Sequence, residues 1–149
     1  MHSNGSDRKN GSRQAPPINF VSAAARVKKS STLRVGVVGC GYWGSKHVRV
    51  LSCMPEVSRV AVIDRDACTR EKIVASFPAS TAYPDLDAAL PHLDAVIIAT
   101  PPETHCDVAL KCLRAGKHVL LEKPIAKSTS EALLLVEEAN RSDLILMPG

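Results

Sequence analysis

From Arg34 to Met147, short apolar runs alternate with stretches whose apolar positions recur at helical spacing. Runs at 34–38, 59–63, 94–99, 117–121 and 144–147, with a weaker one near 80–82, read as strands. Val96-Ile97-Ile98-Ala99, Val119-Leu120-Leu121 and Leu144-Ile145-Leu146-Met147 are almost unbroken in apolar character. Parallel strands covered by helices on both faces require that pattern. Helices are expected near 43–53, 66–77, 85–91, 104–115 and 129–141. Gly116 can stop the fourth as a left-handed cap, and Ser128 with Glu131 has capping-box spacing ahead of the fifth. The alternation predicts an α/β fold, a doubly wound parallel sheet of six strands of the Rossmann type. Right-handed crossovers then place a ligand crevice at the carboxyl ends of strands one and four.

Residues 1–33 are rich in Ser, Asn, Gly, Pro and basic residues without periodicity, and read as a disordered basic leader ahead of a domain at 34–149. Pro16-Pro17 and the basic flank from Arg26 to Lys29 argue against a transit peptide or a signal core, leaving an untargeted tail. The leader also accounts for the charge. Arg8, Lys9, Arg13, Arg26, Lys28 and Lys29 against Asp7 give it +5 in a chain of net +4, so the remainder carries −1. That balance points away from nucleic acid, and no apolar run approaches the ~18 residues of a membrane span. Five cysteines, Cys40, Cys53, Cys68, Cys106 and Cys112, form no C-x-x-C pair, which suits reduced thiols and a cytoplasmic location. His105-Cys106 with Cys112 lacks the paired spacing of a zinc site, so helix-face packing is expected and no metal.

The candidate chemistry begins at Gly39-Cys40-Gly41-Tyr42-Trp43-Gly44, directly after the apolar run ending at Val38 and opening a helix-patterned stretch. In a βαβ unit Gly39 would permit the tight turn, Gly41 would let the backbone approach a pyrophosphate, and Gly44 would let helix and strand pack closely. The phosphates would then lie on unpaired N–H groups at the helix N-terminus. Asp64 follows the second apolar run and can accept hydrogen bonds from the adenosine ribose. Its charge would repel a 2′-phosphate, so NAD is favoured as cofactor over NADP. Arg65 is the opposing feature, because a guanidinium there could pair with that phosphate.

The crevice should also be lined by Thr100-Pro101-Pro102-Glu103-Thr104-His105 and Glu122-Lys123-Pro124, which follow strands four and five. Ala-Thr-Pro-Pro-x-x-His, then Ala115-Gly116-Lys117-His118-Val119 and Glu122-Lys123-Pro124, taken with the glycine loop, strongly resemble the amino-terminal domain of the glucose–fructose oxidoreductase / inositol dehydrogenase / MocA (Gfo/Idh/MocA) family. The resemblance covers residues 33 to about 149. It implies hydride exchange between a nicotinamide and a hydroxyl of a sugar, cyclitol or nucleotide sugar. Carried onto this chain, it places Thr100 and Pro101 beside the nicotinamide half, Glu122 on its ribose, and Lys123 as the catalytic residue by the reacting hydroxyl. Pro124 would fix the turn presenting Lys123. Tyr42-Trp43 is similar to branches acting on nucleotide-linked amino sugars. The family continues into a second α+β domain that supplies substrate contacts and a catalytic His. That domain is absent from these residues, so the chain alone is expected to be inactive, and homo-oligomerisation is expected where the second domain is present.

Blander readings stand beside these. Glu122 and Lys123 could be an exposed charge pair worth ~0–1 kcal/mol. His105 either begins helix four or edges the cofactor, His118 reads as structural, and His47 shows no chemical partner. Trp43 reads as helix–sheet packing or as a cofactor wall. A non-catalytic dinucleotide-binding module or sensor acting through a partner chain is the main alternative function. Methyl transfer from S-adenosylmethionine leaves Glu-Lys-Pro without a role.

Overall fold

The computed structural model describes residues 32–149. The expectation of a disordered leader falls on residues outside that span, apart from Thr32 and Leu33, the latter already part of the first strand. Six strands, β1 (Leu33–Val38), β2 (Val57–Ile63), β3 (Thr81–Tyr83), β4 (Ala95–Ile98), β5 (His118–Leu121) and β6 (Leu146–Pro148), form one sheet in the order β3-β2-β1-β4-β5-β6. All neighbouring pairs are parallel. The strand order reverses at β1/β4, where a doubly wound sheet opens its crevice.

Helices α1 (Tyr42–Leu51), α2 (Ala67–Ser76), α3 (Leu86–Ala89), α4 (His105–Arg114) and α5 (Thr129–Arg141) connect the strands. Their apolar stripes cover the two sheet faces separately. Val38, Ile63, Val96, Ile98, Val119 and Leu121 pack towards α3, α4 and α5, whereas Val35, Val37, Val60, Val62 and Ile97 pack towards α1 and α2. Neighbouring residues of one strand thus feed opposite cores, which explains the unbroken apolar runs. Full burial contributes about 1.5–3 kcal/mol for each such Val, Leu or Ile.

Local signals set the helix ends. Asp66, Asp85 and Ser128 accept the amides of Thr69, Ala88 and Glu131 and so cap α2, α3 and α5. Gly116, at φ +73°, ends α4 in the left-handed conformation. Several elements are shorter than their patterns suggested, and for two of them the cause is visible. The third helical stretch gives way to a 3₁₀ turn at Leu90–His92, where Pro91 supplies no amide. β6 begins at Leu146 because Leu144 instead closes the end of α5 through the Ala139 carbonyl, and the Ile145 amide is taken by His118 Nδ1 at 3.1 Å.

Candidate functional site

The three glycines of the β1–α1 loop differ in what surrounds them. Gly39 has φ +82°, and a Cβ there would lie 2.8 Å from the Ala99 oxygen and the Thr100 nitrogen at the end of β4. A Cβ on Gly44 would fall 2.0 Å from the Gly39 oxygen. Gly41 has nothing within 4 Å of the corresponding point, so its missing side chain serves space outside the protein. That open side lies against the N-terminus of α1, which no side chain caps and whose first turn holds no acidic residue. The first amides of a helix have no intrahelical acceptor, so this terminus is suited to an anion.

Asp64, at the carboxyl end of β2, is held by the backbone. Its Oδ2 accepts the Cys40 amide at 2.7 Å and its Oδ1 accepts the Asp66 amide at 2.9 Å. The carboxylate therefore fastens the glycine loop while each oxygen retains a further lone pair. Arg70, on α2, donates to the carbonyls of Asp64 at 2.6 Å and Arg65 at 3.1 Å, leaving the Arg65 side chain exposed beside the acid. Cys40 lies in the loop between β1 and α1. Its thiol lies under the loop, and burial pushes its pKa to about 12, so it stays neutral.

Across the crevice, β4 leads into Thr100-Pro101, and a short 3₁₀ turn at Pro102–Thr104 precedes α4. The Thr104 hydroxyl bonds Thr100 Oγ1 at 2.8 Å and the Pro101 carbonyl at 2.9 Å. His105 is 1% exposed. Its Nε2 faces the Thr100 carbonyl and its Nδ1 the Pro124 carbonyl, each at 2.8 Å. His105 begins α4 and at the same time ties the β4 and β5 loops together. A neutral ring donates to one of those carbonyls at a time.

Beyond β5, Glu122 places Oε1 2.7 Å from His47 Nε2 of α1. His47 thus has a chemical partner, contrary to the expectation from sequence, because two stretches of chain far apart meet at the crevice. The hydrogen bond from His47 holds the Glu122 carboxyl below its ordinary range, against the opposing effect of burial. Lys123 is exposed, follows Glu122 directly, and is joined to Pro124 by a cis peptide bond. No ion pair joins Glu122 to Lys123 among the described residues, so the surface charge pair is not formed.

Trp43 and Tyr42 are 59% and 72% exposed and meet edge to face at 5.2 Å, with the Lys46 ammonium 5.1 Å from the Tyr42 ring centre. Helix–sheet packing is thereby excluded for Trp43, which stands at the rim of the glycine loop. All five cysteines are free thiols. Among the described residues, no helix is long and apolar enough to cross a membrane.

A sequence profile described as "Oxidoreductase family, NAD-binding Rossmann fold" (GFO_IDH_MocA) matches residues 33–149. An inositol 2-dehydrogenase from Saccharopolyspora erythraea is 42% identical over 113 residues, covering 72% of this chain and 32% of that protein. The crystal structure of GenD2 from gentamicin A biosynthesis, in complex with NAD, superimposes with a TM-score of 0.76 at 35% identity, covering 80% of this chain and 34% of GenD2. KijD10, a 3-ketoreductase from Actinomadura kijaniata solved with NADP and TDP-benzene, superimposes with a TM-score of 0.74 at 29% identity, covering 80% of this chain and 37% of its own. The chain spans about a third of the length of these relatives.

Proposed function

The chain belongs to the Gfo/Idh/MocA oxidoreductase family, and from that premise we propose that residues 33–149 bind a nicotinamide dinucleotide in the crevice at β1/β4, with NAD preferred over NADP. The observation that carries this reading is the 2.7 Å bond from the Cys40 amide to Asp64, which fuses the ribose acceptor and the phosphate loop into one rigid unit. The adenosine ribose would donate to the remaining lone pairs of Asp64. Gly41 leaves room for the pyrophosphate against the amides of Tyr42, Trp43 and Gly44. Thr100, Pro101 and Glu122 border the nicotinamide half, on the β4–β5 side.

The bound nicotinamide supplies the hydride chemistry. The protein's own share is to bind, orient and set the local charge. Lys123, exposed at the crevice, presents an ammonium suited to orienting a hydroxyl and to stabilising the alkoxide character that develops as its proton leaves. The substrate class in the whole protein is a sugar, cyclitol or nucleotide-sugar hydroxyl, and the setting is cytoplasmic, with the cysteines reduced. His105 acts here by holding the Thr100 and Pro124 carbonyls. Calorimetric titration with NAD and NADP tests the cofactor assignment. Tighter binding of NAD is expected, whereas preference for NADP would transfer the deciding role to Arg65.

A further inference from the structure

Nothing local in the sequence marks His47, which lies on the sheet-side flank of α1 next to the buried Val48. Its side chain is 24% exposed and that of Glu122 17% exposed, so their 2.7 Å contact is sheltered yet opens to the crevice. Glu122 is held at both ends. Its amide donates to the Ile98 carbonyl at 3.0 Å, which fixes the backbone at the end of β5, and Oε1 is engaged by His47. The second carboxylate oxygen, Oε2, has only a long 3.4 Å contact with the Lys123 amide. One oxygen is tied down and the other is left to accept.

A doubly wound sheet binds the two halves of a dinucleotide on either side of the strand-order reversal. With Asp64 at the carboxyl end of β2, Glu122 is the carboxylate at the carboxyl end of β5, on the other side of the reversal. We infer that His47 is a positioning residue, which aims Glu122 Oε2 at the ribose hydroxyls of the nicotinamide half from the same helix whose N-terminus receives the pyrophosphate. This rests on the dinucleotide reading above. A carboxylate with one oxygen fastened loses less rotamer freedom on binding, and a hydrogen bond to a charged acceptor is among the stronger ones.

The test compares NAD with ADP, which carries the adenosine and both phosphates but lacks the second ribose. Both ligands are titrated into the wild-type chain and into His47→Leu, His47→Asn and His47→Gln. Leu removes the donor and Asn is too short to reach Glu122, whereas Gln can still donate. Leu and Asn are expected to weaken NAD binding roughly tenfold, the size of one charge-assisted hydrogen bond, with ADP affinity within about twofold of wild type. Gln should restore NAD affinity, and in a Glu122→Ala background the Leu change should have no further effect. Equal losses for ADP and NAD in both donor-less variants would overturn the inference by making His47 merely structural, as would unchanged NAD affinity. A wild-type chain that binds neither ligand overturns the dinucleotide reading itself, and the inference with it.

Discussion

The carboxylate of Asp64 accepts the amide of Cys40 at 2.7 Å, so the acid at the tip of β2 fastens the glycine loop between β1 and α1. An amide at the start of a glycine turn has few acceptors within reach, and here the acid at the tip of the neighbouring strand supplies one. In the proposed dinucleotide reading, binding and loop order are therefore linked.

Asp64→Ala should lower stability as well as affinity. NAD binding should weaken by about 1.5–3 kcal/mol, the range for hydrogen bonds to charged groups, while NADP improves relative to NAD. Urea unfolding of the same variant should show a loss of about 1–2 kcal/mol from the freed Cys40 and Asp66 amides. Affinity loss with no change in unfolding midpoint would mean that the loop holds its shape without the acid.

Gly41 and Gly44 should separate binding from folding. Gly41→Val introduces its side chain into open space, so the variant should fold and fail to bind the dinucleotide, because the clash falls on the ligand. Gly44→Ala places a Cβ 2.0 Å from the Gly39 oxygen and should unfold or shift α1, at a cost of about 3 kcal/mol or more. Circular dichroism with NAD titration distinguishes them. Retained NAD affinity in folded Gly41→Val would remove the loop from the site.

His105→Leu keeps the buried volume but removes the ring whose two nitrogens face the Thr100 and Pro124 carbonyls. Stability should fall by about 1–3 kcal/mol, the cost of losing the buried ring's hydrogen bonding to these carbonyls. Thermal unfolding checks this, and a change under about 0.5 kcal/mol would show that water or another donor replaces the ring.

Acid should act through Glu122. Its folded-state pKa is depressed, chiefly by the His47 hydrogen bond. The carboxylate therefore contributes stability that is fully present above its ordinary unfolded value of about 4.3 and is lost as pH falls through the lower folded value. The stability advantage of wild type over Glu122→Gln should shrink as pH falls from about 5 towards 3. A pH-independent difference between the two, measured by thermal unfolding across that range, would contradict the assignment.

By itself, the sequence determined the order and kind of the elements. Unbroken apolar runs such as Val96-Ile97-Ile98 demand helices on both faces, Gly116 stops a helix, and Ser128 starts one; each is a local preference of backbone or solvent that acts within a few residues. The glycine loop and Asp64 were legible for the same reason, since their spacing follows from one βαβ unit. Only the tertiary structure decided the partners. His47 and Glu122 stand 75 positions apart and meet because β5 lies next to β4, and β4 next to β1, beneath α1. No spacing rule carries that contact. Likewise, His105 was ambiguous between a helix start and a cofactor edge until two loops brought the Thr100 and Pro124 carbonyls to its ring. Trp43, which composition would bury, stays exposed because its place in the first turn of α1 directs it away from the sheet that Gly44 and Val48 face. A helical period states that one face is buried, but the neighbouring strands decide what each flanking side chain touches.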